Sequence, residues 1–172
     1  MTSPAPSQPF RISRTFDAPR ALVWQLWTQP EHLGRWFSPK GVTPAGGTMD
    51  LRTGGSYHYC LKTLDGNEMW GKWVFREVTP PERMVWVHSF SDAQGGTTRH
   101  PMAANWPLEM LSRATFTEAG GKTTVTLEWH ALNATPDEQK VFDAAHGGMR
   151  GGWTGTFDHL DAYLAEIGKS GA

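Results

Sequence analysis

One stretch, from Thr135 to Gly168, limits what this chain can fold into more than any other. It opens with Thr135-Pro136-Asp137-Glu138. A threonine N-cap accepts from a backbone N–H, and a proline at the first helical position loses no bond the helix needs. A glutamate three residues on can bond back to the cap. Apolar residues then recur at helical spacing: Val141, Phe142, Ala145, Met149, Trp153, Phe157, Leu160, Leu164 and Ile167 form one stripe. Gly168 supplies a stop, and Lys169 complements the helix C-terminus. A helix this long rises about 1.5 Å per residue and spans a small domain. It needs an apolar surface of the same length to lie on. Its middle is crowded with Gly147, Gly148, Gly151, Gly152 and Gly155. Each costs up to ~1 kcal/mol relative to alanine inside a helix. Two explanations stand. The helix packs closely or breaks around Gly147-Gly148, or side chains are withheld there to leave room for a ligand.

The rest of the chain supplies the surface. Phe10 to Phe16 alternates apolar and polar and reads as a strand. Asp17-Ala18-Pro19 then caps a helix carrying Leu22, Val23, Leu26 and Trp27 on one face. Thr28-Gln29-Pro30-Glu31 starts a short second helix with Leu33, Trp36 and Phe37, ended by Pro39. Strands follow: a weak one over Thr48 to Leu51, then Tyr57 to Lys62, Met69 to Val78, Arg83 to Phe90, Leu108 to Thr117 and Thr123 to Ala131. The turns at Asp65-Gly66-Asn67 and Ala119-Gly120-Gly121 are short, which makes their flanking strands antiparallel neighbours. Ser91 to Pro107, with His100, Met102, Asn105 and Trp106, is long for a loop and reads either as an entrance flap or as a disordered insertion. Seven strands segregated from the helices imply an α+β domain with an antiparallel sheet, one face of which the long helix has to cover. A strongly curved sheet gripping that helix would bury the stripe at both ends and leave a cavity between. The domain's expected extent is 10–168, after a disordered leader over 1–9.

Composition removes several classes of function. A net charge of −1 over 172 residues gives no bulk basic field for nucleic acid or anionic membrane. No apolar run approaches the ~20 residues of a membrane span. The Ser/Pro-rich start lacks the pattern of a signal peptide, and a single cysteine, Cys60, suits a reducing compartment, so a cytoplasmic protein is expected. Aromatic residues stacking on bases need clustered Lys/Arg beside them, and here the basic residues are dispersed among acids.

The combination Asp17-Ala18-Pro19, Val23-Trp24 and Thr28-x-Pro30-Glu31-x-Leu33-x-x-Trp36-Phe37 resembles the opening signature of activator-of-heat-shock-ATPase homologues. Gly54-Gly55, Glu77-Val78-x-Pro80-Pro81-Glu82-Arg83-Met84 and Gly152-Trp153-x-x-x-Phe157-x-x-Leu160 extend the resemblance from about Phe10 to Ile167. That branch belongs to the START-like (SRPBCC) superfamily, which shares the helix-grip fold of the birch-pollen allergen. The resemblance implies a seven-stranded antiparallel sheet around the C-terminal helix and a cavity that takes apolar small molecules. It implies no reaction. The co-chaperone of the family carries a separate N-terminal chaperone-binding domain, for which this length leaves no room.

Catalytic signatures are scarce. There is no Gly-x-Ser-x-Gly, phosphate loop, dinucleotide fingerprint or His-Glu-x-x-His. The seven histidines show no metal-ligand spacing, so neither a metal nor a cofactor is expected. His58 and His130 oppose their apolar neighbours in parity and should face solvent. His88 shares parity with Met84, Trp86 and Phe90 and should point inward, as a hydrogen-bonded core histidine or as a polar anchor in a pocket. His146 lies near the helix glycines and could converge on the same space. Strand parity places Tyr57, Tyr59 and Leu61 on the concave face with Met69, Trp73 and Phe75. Met110, Ser112, Ala114, Phe116, Val125, Leu127 and Trp129 join them there. The expected ligand-binding set is Tyr57, Tyr59, Trp73, Trp86, His88, Met110, Met149 and Trp153, with Trp36 and Trp106 near the entrance. The first reading is therefore a module binding an apolar or aromatic small molecule. The second is an enzyme of cyclase, dehydratase or hydrolase type, with His88 and Tyr59 as acid and base. The third is a partner that stimulates a chaperone ATPase. An edge strand such as Thr48 to Leu51 could pair with a second copy, though nothing requires a dimer.

Overall fold

A computed structural model describes residues 9–38, 41–100 and 103–170. The expected leader up to residue 8, and with it Pro39, Met102 and the last two residues, fall outside them. The chain runs β1 (Phe10–Phe16), α1 (Arg20–Thr28), α2 (Pro30–Trp36), β2 (Val42–Met49), β3 (Ser56–Thr63), β4 (Glu68–Thr79) and β5 (Arg83–Ser91). It continues through β6 (Thr97–Thr98), β7 (Glu109–Ala119), β8 (Lys122–Leu132), α3 (Pro136–Ala144) and α4 (His146–Ser170). Seven strands form one antiparallel sheet in the order β1-β8-β7-β5-β4-β3-β2, and β6 pairs only with the end of β5. The sheet curls into a half-barrel around the C-terminal helix, with α1 and α2 beside it, so the helix-grip architecture read from the sequence is the observed one.

Three details differ from the sequence reading. β2 runs over Val42–Met49 rather than starting at Thr48, because pairing with β3 recruits residues with little strand propensity of their own. Among them is Gly47, where a Cβ would meet the Tyr57 ring at 2.8 Å. Asp17 does not cap α1. Pro19 holds the N-cap position with no side-chain cap bond, and the Arg20 N–H donates to Glu118 Oε2 of β7 at 2.7 Å. The terminal helix is two helices. The capping box forms as predicted, with Glu138 N–H donating to Thr135 Oγ1 at 3.1 Å and Thr135 N–H to Glu138 Oε1 at 2.9 Å. The break then falls at Ala145, whose N–H tightens onto the Phe142 carbonyl. Gly147 and Gly148 are therefore the first turn of α4 and not the break itself.

The stripe continues across this break. Phe142, Trp153, Phe157 and Leu160 are buried, and Met149, Leu164 and Ile167 pack half-buried against the same core. Trp27 of α1 stacks on Trp153 at 6.1 Å between ring centroids, and Phe16 of β1 meets Phe157 edge-on at 5.5 Å. Arg14 of β1 fixes the outer side of α4 through Asp158 and Asp161 at 2.8 and 2.9 Å. These contacts hold the far half of α4 on the sheet. The region around its first turns is less filled, and that is where the cavity lies.

Candidate functional site

A cavity of about 230 Å³ opens between the sheet and the N-terminal half of α4. Strand parity builds its floor. β3 contributes Tyr59 and Leu61, β4 contributes Met69, Gly71 and Trp73, β5 contributes Trp86, His88 and Phe90, and β8 contributes Trp129. The helix side is Met149, Gly152, Trp153 and Thr156, and the segment after α2 adds Phe37 and Ser38. Trp70 also lines it, although its parity is opposite; its ring stacks on His58 with centroids 4.9 Å apart.

Gly152 explains part of the glycine cluster. A Cβ built there meets nothing within 4 Å, so close packing is not what requires a glycine. The same is true of Gly147, Gly148 and Gly151, but those three are exposed and only Gly152 borders the cavity. Gly71 has the opposite cause. A Cβ on it would come within 2.5 Å of the Tyr59 Oη, because the Tyr59 ring lies across the β4 backbone at that position. This crossing lets a residue of β3 reach β5: Tyr59 Oη and His88 Nε2 are 3.0 Å apart.

The Tyr59–His88 pair is the polar centre of a lining that is otherwise apolar but for Ser38, Thr156 and the indole N–H groups. Burial pushes the His88 pKa down to about 4, so the imidazole is neutral at pH 7. Burial, with the Tyr57 phenol beside it, pushes the Tyr59 hydroxyl up, so it stays protonated. A protonated phenol is the better donor and a neutral imidazole nitrogen the better acceptor. Tyr59 therefore donates to Nε2, and the histidine proton sits on Nδ1, where it has no protein acceptor among the described residues.

Six of the ten residues expected from the sequence line the cavity: Tyr59, Trp73, Trp86, His88, Met149 and Trp153. The other four do not. Tyr57 is on the expected face but forms a second layer, its ring against Tyr59 and Trp73. Met110 is buried opposite His88 in the β5–β7 register. Trp36 is no entrance residue. It is fully buried against Trp27, and its indole N–H donates to the Leu26 carbonyl at 2.9 Å. Trp106 packs on Phe142 and His100 instead. His146, a weaker candidate, lies against Phe10 and Phe142 and borders no part of the cavity. Phe37, Ser38, Trp70, Gly71 and Thr156 also line the cavity, without belonging to the expected set. The segment after α2 has no period to read, and Gly71 is recognisable only once Tyr59 is known to cross it.

Described residues of the segment Ser91 to Pro107 are tied down at two points. Asp92 Oδ1 accepts from Gln94 and Gly96 N–H at 2.9 and 2.8 Å, which closes the turn into β6. Arg99 then pairs with Glu138 Oε2 at 2.6 Å and ties this segment to the start of α3. Among the described residues no cluster of His, Cys, Asp and Glu could hold a metal ion, and no helix is long and apolar enough to cross a membrane.

A family model described as Activator of Hsp90 ATPase homolog 1-like protein matches residues 17–165. Among solved structures, a protein of Nitrosomonas europaea is 24% identical with a TM-score of 0.75, over 96% of this chain and 99% of its own. A Mycobacterium smegmatis protein is 25% identical with a TM-score of 0.72, over 92% and 91%. The AHSA1 protein of Silicibacter pomeroyi is 18% identical with a TM-score of 0.68, over 92% and 98%. No curated protein matches the chain.

Proposed function

The chain belongs to the family of Activator of Hsp90 ATPase homolog 1-like proteins, and we propose that it binds an apolar or aromatic small molecule in the cavity between the curved sheet and α4. One observation carries the reading: the cavity is walled mostly by aromatic and apolar side chains around the hydrogen-bonded side-chain pair Tyr59 and His88. That is the usual make-up of a small-molecule site, with area burial supplying affinity at about 25 cal/mol per Å² and a few polar groups supplying orientation. Gly152 supports it further. A helix interior gives up stability to keep a glycine, and here the space gained belongs to the cavity.

The same pair argues for binding over acid–base chemistry. A histidine with its pKa near 4 is a weak base at pH 7, and its phenol partner is held protonated. Groups poised for proton transfer sit close to the working pH, and these two are pushed away from it. The pair suits fixed hydrogen bonding to a bound molecule. Stimulation of a chaperone ATPase is carried by the family description alone and predicts an effect that survives blocking the cavity.

Native mass spectrometry of freshly purified protein, followed by denaturing extraction, tests the reading. The wild-type chain is expected to carry or take up a small apolar molecule, and Gly152→Leu, which fills the cavity from the helix side, is expected to lose it. Equal uptake by both would place the ligand elsewhere and overturn the proposal.

A further inference from the structure

Seven buried side-chain nitrogen or oxygen atoms among the described residues have no hydrogen-bond partner. Four of them gather on the concave face: Trp86 Nε1, His88 Nδ1, Ser112 Oγ and Trp129 Nε1. Trp86, Ser112 and Trp129 form one cross-strand row, with Trp86 opposite Ser112 and Ser112 opposite Trp129. His88 is the next inward-facing residue on β5, its ring centroid 5.4 Å from that of Trp129. Three of the four residues, all but Ser112, line the cavity. Buried donors without acceptors are rare in native proteins, and each opposes folding unless something satisfies it. Of the three that line the cavity, His88 and Trp129 lie side by side and can share one acceptor.

The chemistry of that acceptor follows from the donors. An indole N–H can only donate. His88, with Nε2 engaged by Tyr59, presents Nδ1–H. Among the described residues no Lys, Arg, Asp or Glu side chain lines the cavity. A carboxylate entering it would lose its hydration with no cation to replace it, whereas a neutral carbonyl oxygen would lose far less. Resting on the ligand-binding reading above, we infer that the bound molecule is uncharged and apolar and carries a carbonyl-type oxygen whose two lone pairs accept from the His88 and Trp129 N–H groups, with the Trp86 indole beside them in the lining.

Three probes with one ring and different substituents separate the possibilities: acetophenone, ethylbenzene and benzoate. They share shape closely, and only acetophenone offers a neutral acceptor. Acetophenone is expected to bind roughly tenfold more tightly than ethylbenzene, a difference of about 1.4 kcal/mol, with benzoate weakest. In His88→Leu and in Trp129→Phe the preference for acetophenone over ethylbenzene is expected to shrink towards equality. Should either variant fail to fold, the wild-type ratio still decides. Equal binding of acetophenone and ethylbenzene would overturn this inference and leave the apolar-cavity reading standing. Benzoate binding tightest would overturn it in favour of anion recognition. A preference that survives in both folded variants would assign it to other groups and overturn it too. If none of the three binds, the ligand-binding reading fails along with it.

Discussion

Glu128 and Trp129 are neighbours on β8, yet they face two different worlds. On the convex face, Glu128 is nearly buried and fully partnered: Arg113 Nε donates to Oε2 at 2.9 Å and Arg11 Nε to Oε1 at 3.0 Å. Burial alone would raise its pKa, but the Arg113 and Arg11 guanidiniums outweigh it and hold the carboxyl below the usual range. This network stitches β1, β8 and β7 together and leaves its carboxylate with no unmet acceptor. On the concave face, Trp86 Nε1, His88 Nδ1, Ser112 Oγ and Trp129 Nε1 are also shielded from water, and none of these atoms has a hydrogen-bond partner among the described residues. Both faces bury polar groups. One resolves them within the protein and so serves stability; the other leaves them open, which is what a binding surface requires.

Substitutions can break or sharpen that contrast. The largest effect is expected from Gly152→Leu, which should weaken acetophenone binding at least ~100-fold, about 2.7 kcal/mol, without loss of fold in circular dichroism. Loss of fold would mean that α4 tolerates no side chain there and that the space is structural. Glu128→Ala is expected to lower stability by ~1–3 kcal/mol in urea titration while leaving acetophenone affinity unchanged. The loss stays below that of a fully buried pair, since both arginines can reach water. A shift in affinity comparable to the loss of stability would show that the two faces are not independent.

Gly71→Ala should destabilise by ~1–3 kcal/mol, because the Tyr59 ring must leave the β4 backbone, and should weaken binding through the lost contact with His88. Binding unchanged in that variant would remove the Tyr59–His88 pair from the site. The pH dependence follows from His88. Its folded pKa lies below the unfolded value near 6.5, so the unfolded chain binds more protons between about 6.5 and 4. Stability from the neutral imidazole is full above that window and falls as pH drops through it; among the described residues no Lys, Arg, Asp or Glu side chain lines the cavity to offset the charge. Urea midpoints of His88→Leu should show a shallower fall than wild type over that window, and an identical slope would place the histidine in contact with water. The smallest effect is expected from Gly152→Ala, a gain of ~0.5–1 kcal/mol in thermal or urea unfolding, since its Cβ meets open space.

Much of this was legible in the sequence because periodicity reports direction. The period of two along β3, β4 and β5 aimed Tyr59, Trp73, Trp86 and His88 inward, and the helical stripe aimed Met149 and Trp153 at them. Periodicity does not report depth. Tyr57 and Met110 share the same parity and lie beneath the lining, while Trp36 follows its helical face into the core. Trp129 was placed on the concave face but not among the ligand-binding residues, since nothing local distinguishes a lining indole from a core one. The residue that lets the floor form, Gly71, carries no pattern of its own: its role is visible only through the ring that crosses it.

The most direct test follows the indole N–H signals by NMR during titration with acetophenone. Each of the nine tryptophans supplies one such probe. The Trp86 and Trp129 indole resonances are expected to move most and to saturate with one ligand per chain. Trp36, bonded to the Leu26 carbonyl in the core, should stay still. Shifts confined to indoles that do not line the cavity, such as Trp24 and Trp106, with Trp86 and Trp129 unmoved at saturation, would contradict the account.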